Sequence, residues 1–420
     1  MVSEGEDIEV FKEAVRSILE VIKSKSKPTK TYSSNIEIDL TNRTWWIDFE
    51  IKTRLPSVVQ FYDDIMMLES VRDCLDLMLR REFPKRLEIR VMNSKGESVE
   101  NPDYRPFLVA EILGTFVNKY IDLYGLTFVD ECFKELYDEL MAHVYSEKRE
   151  NIVVSPLRNF ELDGIEEASI GEYKIRKLTE WETKQLIALG ETLGTAFSAD
   201  FGEIEHVYCV WRMVKTDKRR NPVELHLPDF ITVLRLLKPG AVGQGSVLHY
   251  PRIWRTSWGL SSSDQHNCRL GRKYTINKAD IKSLRLLWKQ FSGLRGSLPN
   301  NVKFALRWFN KSYEELDNSD RFLDLAIALE VLFGTSERLD LYVPHFIGSG
   351  KKEKLELNTT ISSLRKARGA IVHSGHSAIA PELADKTEEI FRLSIKKCFR
   401  LINKISYDEI IGSIRSKILT

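Results

Sequence analysis

Apolar positions recur at helical spacing from the start of the chain, where Ile8, Phe11, Val15, Ile18, Leu19 and Ile22 fall on one face. After the polar linker KSKSKPTK the period drops to two, and NIEIDLTNRTWWIDFEIKTRL predicts a hairpin. Helical spacing returns in VVQFYDDIMMLESVRDCLDLMLRREF: Phe61, Ile65, Leu68, Val71, Leu75 and Leu79 share a face, and Pro84 stops the run. RLEIRVMNSKGE predicts a strand ending in a turn, and helices follow over about 104–124 and 128–147. The middle is mixed. EWETKQLIALGETLGTAF predicts a helix, EIEHVYCVWRMVK a strand, and LPDFITVLRLL a short helix ended by KPG. PGAVGQGSVLHY carries Gly240, Gly243 and Gly245 but lacks the Lys-Ser/Thr of a phosphate cradle and opens no helix, so it is expected to be a flexible connector.

From about residue 276 the pattern is helical only: NKADIKSLRLLWKQFSGL, NVKFALRWFNKSYEEL, DRFLDLAIALEVLFG, NTTISSLRKARGAIVHSG and PELADKTEEIFRLSIKKCFRLINKI. Ser319 or Asp320 is expected to cap the third of these, Gly334 to end it, and Asn358 or Thr359 to cap the fourth, with Gly375 after it. Pro381 suits the first turn of the fifth, whose Phe391, Ile395, Cys398, Ile402 and Ile405 make one apolar stripe. The fold expected is α+β and predominantly α. A mixed α/β region, 1–275, holding one or two subdomains, precedes an all-α antiparallel bundle, 276–420.

A 420-residue chain exceeds one ordinary core, and 43% hydrophobic with 29% charged residues is the composition of a folded protein rather than a disordered one. No apolar run is long enough for a membrane helix, and the acidic start has no secretory h-region, so a cytoplasmic location is expected. The five dispersed cysteines show neither a disulfide framework nor a zinc pattern and are expected to be reduced core thiols. The net charge of +1 hides an asymmetry, since residues 271–420 carry +9 and leave −8 on the first 270. A basic C-terminal part is compatible with a polyanion such as RNA, although lysine-rich solvated helices give the same count.

Candidate chemistry concentrates in RKARGAIVHSGH, where four residues separate Arg368 from His373. RFLDLAIALEVLFG followed at a distance by LRKARGAIVHSG resembles the HEPN superfamily, most closely its Apea-like branch, over residues 276–410; FITVLRLLKPGAVG upstream also looks like the segment preceding such domains. The resemblance implies a bundle that pairs as a homodimer through its Arg-x4-His helices and cleaves RNA without metal. The ribose 2′-hydroxyl attacks the adjacent phosphate and leaves a 2′,3′-cyclic phosphate and a 5′-hydroxyl. On this sequence Arg368 matches the motif arginine and His373 the motif histidine. Many relatives place a polar residue directly after the arginine, where this chain has Gly369.

The side chains suit those roles. A histidine near its ordinary pKa exchanges a proton with the 2′-hydroxyl or the departing 5′-oxygen. An arginine keeps its charge and fits a phosphate with its two-pronged edge. Glu330 of the ALE helix is expected to pair with an arginine inside the bundle and to orient Arg368, and Lys351, Lys352, Lys354, Arg365 and Lys366 to guide the RNA backbone. Trp288, Trp308 and Phe309 are expected in the core. The function expected is a HEPN-type endoribonuclease acting on tRNA or mRNA loops in anti-phage defence or growth arrest, with no cofactor and no metal, and an unknown trigger acting on the N-terminal region. The alternative is a non-catalytic RNA- or nucleotide-binding or assembly module, in which Arg368 is a surface cation and His373 a helix-dipole cap.

Overall fold

The first turn of sequence logic that survives into the fold is the apolar stripe of α1 (Glu4–Lys25), whose Phe11, Val15, Ile18, Leu19 and Ile22 are all buried. The computed structural model describes residues 4–25, 29–39, 43–54, 58–81, 90–92, 98–100, 105–145, 148–188, 196–198, 201–203, 207–217, 227–251, 259–261, 273–374 and 379–419. Among them the chain is predominantly helical, with antiparallel sheets and one short parallel strand pair. The predicted hairpin is β1 (Thr29–Asp39) and β2 (Thr44–Arg54), paired from Thr29 with Arg54 to Asp39 with Thr44. Helices α2 (Tyr62–Met66) and α3 (Glu69–Arg80) and the short ribbon β3 (Arg90–Met92) and β4 (Ser98–Glu100) follow. Then come α4 (Arg105–Tyr124) and α5 (Asp130–Tyr145). Pro84 lies outside the described residues. Helices α1, α3, α4 and α5 close one core, in which Phe11 meets Phe116 edge to face at 5.0 Å between ring centroids.

The next stretch is richer in strands than its local patterning predicts. It runs β5 (Lys148–Arg158), β6 (Phe160–Leu162), β7 (Ala168–Ile170), β8 (Tyr173–Lys177), α6 (Glu180–Ala188), β9 (Ala196–Ser198), β10 (Phe201–Glu203), β11 (Tyr208–Asp217) and α7 (Leu227–Leu237). Strands β12 (Gly243–Gln244), β13 (Val247–Pro251), β14 (Gly259–Ser261) and β15 (Tyr274–Ile276) complete it. The main sheet has the order β14-β13-β5-β11-β8-β7, with β12 beside β5, while β10 and β9 extend the N-terminal hairpin. The helix expected across EWETKQLIALGETLGTAF is therefore shorter, with Ala196–Ser198 in a strand instead.

The loop PGAVGQGSVLHY is corrected outright, because it is buried sheet rather than a flexible connector. Gly243 and Gln244 pair with Arg158 and Leu157, Gly245 N donates to Pro156 O at 2.9 Å, and Ser155 Oγ donates to Gly245 O at 2.9 Å. The glycines admit a neighbouring backbone closely, and a Cβ on Gly240 would stand 2.8 Å from the Tyr274 ring.

Seven helices complete the chain: α8 (Lys278–Leu294), α9 (Asn300–Lys311), α10 (Asn318–Phe333), α11 (Leu339–Ile347), α12 (Lys351–Ser374), α13 (Pro381–Ile402) and α14 (Tyr407–Leu419). Pro381 opens α13, and Gly334 ends α10 in the left-handed conformation that suits glycine. The cap of α10 is Asp317, which accepts from the backbone of Ser319 and Asp320, rather than either of those residues. Asn358 and Thr359 lie inside α12, which starts two turns earlier than their capping chemistry suggests; Asn358 Nδ2 instead donates to Asp340 O at 2.9 Å. Gly375 is outside the described residues.

Residue 276 is a change of secondary structure without a break in the buried packing. One continuous cluster runs from Val153 to Ile414, uniting the main sheet, α7 and the C-terminal helices. Trp288 of α8 is its hinge pin, with ring centroids 5.2 Å from Tyr173 on β8 and 5.6 Å from Phe230 on α7. Trp288 and Phe309 are buried as expected, and Trp308 is half-buried. Cys74, Cys209 and Cys398 are buried free thiols, and Cys132 is partly so. Burial pushes the thiols of Cys74 and Cys398 up to about 12. Among the described residues no helix is long and apolar enough to cross a membrane, and no three His, Cys, Asp or Glu side chains gather to hold a metal ion.

Candidate active site on α12

Helix α12 gathers every candidate cation of the sequence together with the candidate histidine. Its inward face carries the buried Ile361 and Leu364, and two arginines at the edge of that face fix the helix to its neighbours. Arg365 Nη1 lies 3.4 Å from Asp340 Oδ2 of α11. Arg368 Nε lies 2.8 Å from Glu330 Oε1 of α10, with the arginine side chain 32% exposed and the glutamate 15%. The ALE helix and the Arg-x4-His helix thus meet at the two residues singled out in each.

The pairing is electrostatically reciprocal. Burial raises the pKa of the Glu330 carboxyl, and the guanidinium groups of Arg368 and Arg365 only partly offset this. The contact is an ion pair without hydrogen-bond geometry, since the buried Nε has no hydrogen-bond partner, and no hydrogen bond to a described residue engages the Nη1 and Nη2 edge. That edge is the part of arginine whose spacing matches two phosphate oxygens.

His373 sits in the last turn of α12, exposed, without a hydrogen bond to any described residue. It stands five positions along the helix from Arg368, a rotation of about 140° and a rise of ~7.5 Å. Arg368 reaches Glu330 on α10, and that rotation sets His373 on a different face of α12, so helix geometry alone makes one copy a splayed site. The last-turn position also suits a cap on the helix end, which is the non-catalytic role expected for it. His376 lies outside the described residues.

The proposed RNA-guiding cations divide into two groups. Arg365 and Lys366 flank Arg368, whereas Lys351, Lys352 and Lys354 stand 14 to 17 residues away, about 21–26 Å along the helix. Lys351, Lys352 and Lys366 are exposed and form no ion pair among the described residues, while Arg365 is partly engaged by Asp340. Gly369 lies beside Arg368, and a Cβ built there meets nothing within 4 Å. Gly369→Ala is expected to stabilise the chain by about 0.5–1 kcal/mol, the helix-propensity difference with no clash to oppose it. Urea denaturation checks this, and a loss of stability would place an unseen contact at that face.

Sequence reasoning missed the Arg365–Asp340 contact because α11 carries Pro344 inside it and does not read as a helix. Comparisons of the chain with protein-family models, with curated proteins and with solved structures return no match.

Proposed function

We propose that this chain is a metal-independent endoribonuclease of the HEPN type, working as a homodimer in which two copies of α12 face one another. The observation that carries the reading is the 2.8 Å ion pair of Arg368 with Glu330, which holds the guanidinium where α10 meets the helix that also carries the exposed His373. The splay of Arg368 and His373 in one chain is what a two-fold pairing remedies, since it sets two arginines and two histidines about a single phosphodiester.

In that arrangement His373 removes the proton from a ribose 2′-hydroxyl, and the oxygen attacks the adjacent phosphorus. The His373 of the second copy gives a proton to the departing 5′-oxygen, so the bond to the 5′-oxygen breaks as the cyclic phosphate forms. The two Arg368 side chains stabilise the charge that gathers on the non-bridging oxygens of the five-coordinate phosphorus. Lys366 and Lys351 to Lys354 hold the flanking backbone. Single-stranded loops of tRNA or mRNA are the substrates that expose a flexible 2′-hydroxyl. Residues 1–275 restrain the site until a trigger acts, in defence against phage or in growth arrest.

The test is RNA incubated with purified protein in EDTA beside Arg368→Ala and His373→Ala, scoring cleavage and binding on the same gel. Cleavage by the original chain alone supports the nuclease. Retained binding with intact RNA in all three, together with no toxicity on overexpression, supports an assembly or binding module instead.

A further inference from the structure

The seam where α7 and α8 meet α13 forms an open cavity of about 360 Å³ on helices that carry neither Arg368 nor His373. Lys396 and Arg400 of α13 line it, one helical turn apart and therefore on one face. Lys396 Nζ donates to Leu237 O, the last residue of α7, at 2.9 Å. Neither cation forms an ion pair among the described residues. The one carboxylate in the wall, Asp280, is already committed: it takes the Lys238 ammonium and accepts from Asn277 N at 3.1 Å. The wall therefore carries two cations that pair with no carboxylate among the described residues.

Two further features describe what would relieve that charge. Burial draws the Lys396 amine below its ordinary range; the Glu389 charge opposes this, and the Arg392 and Arg400 charges each add a smaller push in the same direction as burial. The rest of the wall is mixed. Leu237 and Leu286 offer an apolar surface, with Leu286 57% exposed at the rim, and Ser283 and Gln290 offer a hydroxyl and an amide. A volume near the lower end of the range for small-molecule sites, with an apolar wall, a hydrogen-bonding edge and two neighbouring cations, fits a compact ligand with a flat ring and a dianionic head.

We propose that this cavity binds a small phosphomonoester bearing a flat ring, of nucleoside-monophosphate size, with its phosphate between Lys396 and Arg400 and its ring on Leu237 and Leu286. A phosphomonoester carries close to two charges at neutral pH, which two cations match better than a single carboxylate does. The site is independent of the nuclease reading and stands or falls without it. Occupied, it joins the end of α7 to α13 across the junction between the sheet and the helices.

The experiment is calorimetric titration of the full chain carrying Arg368→Ala, which removes the other candidate phosphate contact, with AMP, GMP, CMP and UMP. Adenosine and inorganic phosphate serve as controls. At least one monophosphate is expected to bind ten-fold or more tighter than either control. Adding Arg400→Gln, at an exposed position, should weaken that binding ten-fold or more while leaving the melting temperature of the free protein unchanged, and Lys396→Met should do the same to binding. No binding by any of the four at millimolar concentration overturns the proposal, as does a control binding as tightly as the monophosphate. Affinity unchanged in both Arg400→Gln and Lys396→Met overturns it too.

Discussion

Alanine at His373 is expected to lower RNA cleavage by about 100- to 10,000-fold, the usual worth of a positioned proton donor or acceptor. Arg368→Ala is expected to cost about 100- to 1,000-fold, as for one preorganised group that stabilises transition-state charge. The two losses differ in kind. The original chain should show a bell-shaped pH profile, because the proposed mechanism uses one copy of His373 as base and the other as acid. Arg368→Ala should keep the bell at reduced height, whereas His373→Ala should lose it. Arg368→Lys should stay well below the original rate, since an ammonium can neither reach Glu330 through an Nε nor offer a two-pronged edge to phosphate. Glu330→Gln tests positioning: it removes the fixed charge beside Nε without touching substrate, so the rate should fall while the pH limbs set by His373 stay in place. Initial rates on labelled RNA across pH check all four, and a pH profile untouched by His373→Ala would remove that residue from the chemistry.

The second large effect concerns stability, at a group the nuclease reading does not use. Glu388 of α13 is 4% exposed and is held by Tyr313, whose hydroxyl donates at 2.5 Å, and by Arg392 and Arg321. Burial alone would raise its pKa, but Arg392, Arg321 and the Tyr313 hydrogen bond outweigh burial and hold the carboxyl below its usual range. The cluster extends through Arg235 of α7, whose guanidinium lies 4.4 Å from the Tyr313 ring centroid and donates to Asn310 O at 3.2 Å and to Val242 O at 3.0 Å. Glu388 therefore ties α10 and Tyr313 to α13, and Tyr313 carries the contact on to Arg235 of α7.

Removing the acid leaves Arg392, at 1% exposure, with only the partly exposed Glu389 as a carboxylate partner among the described residues. Glu388→Ala is expected to destabilise the unit containing the sheet and C-terminal helices by about 3–5 kcal/mol at pH 7, as when one partner of a buried pair is deleted. The pH dependence has a definite sign. The folded pKa lies below the unfolded one, so the contribution is complete above the unfolded value near 4.3 and is lost as pH falls through the folded value. Urea midpoints for the original chain and Glu388→Gln should accordingly differ at pH 7 and converge in acid. A difference under about 1 kcal/mol at pH 7 would show that the arginines find other partners.

These two sites also mark where reading the sequence succeeds and where it stops. Arg368 and Glu330 each sit on a long helix whose spacing is local information, and their types suggest a pair, so the contact between α10 and α12 was within reach. The hairpin of β1 and β2 was equally legible, because its alternation and its turn lie side by side in the chain. Strand β5 was not. Its partners β11 and β13 lie roughly 60 and 100 residues further on, and Val153, Val154 and Leu157 gain their burial only from those distant pairings. Gly243 and Gly245 mislead for the same reason, since glycine beside a tightly approached strand looks like glycine in a free loop. Glu388 and Arg392 stand at the i, i+4 spacing of any solvated helix face, and nothing local distinguishes a buried pair from an exposed one. Splay is the remaining case. Arg368 and His373 are close in sequence yet point 140° apart, so a second copy enters the account for geometric reasons that the motif alone does not supply.

The most direct test of the account is the chemistry of the new RNA ends. Mass spectrometry of fragments formed in EDTA should show 2′,3′-cyclic phosphate and 5′-hydroxyl termini with the original chain, and neither with Arg368→Ala or His373→Ala. Fragments ending in 3′-hydroxyl and 5′-phosphate, or cyclic ends that persist in His373→Ala, would contradict it.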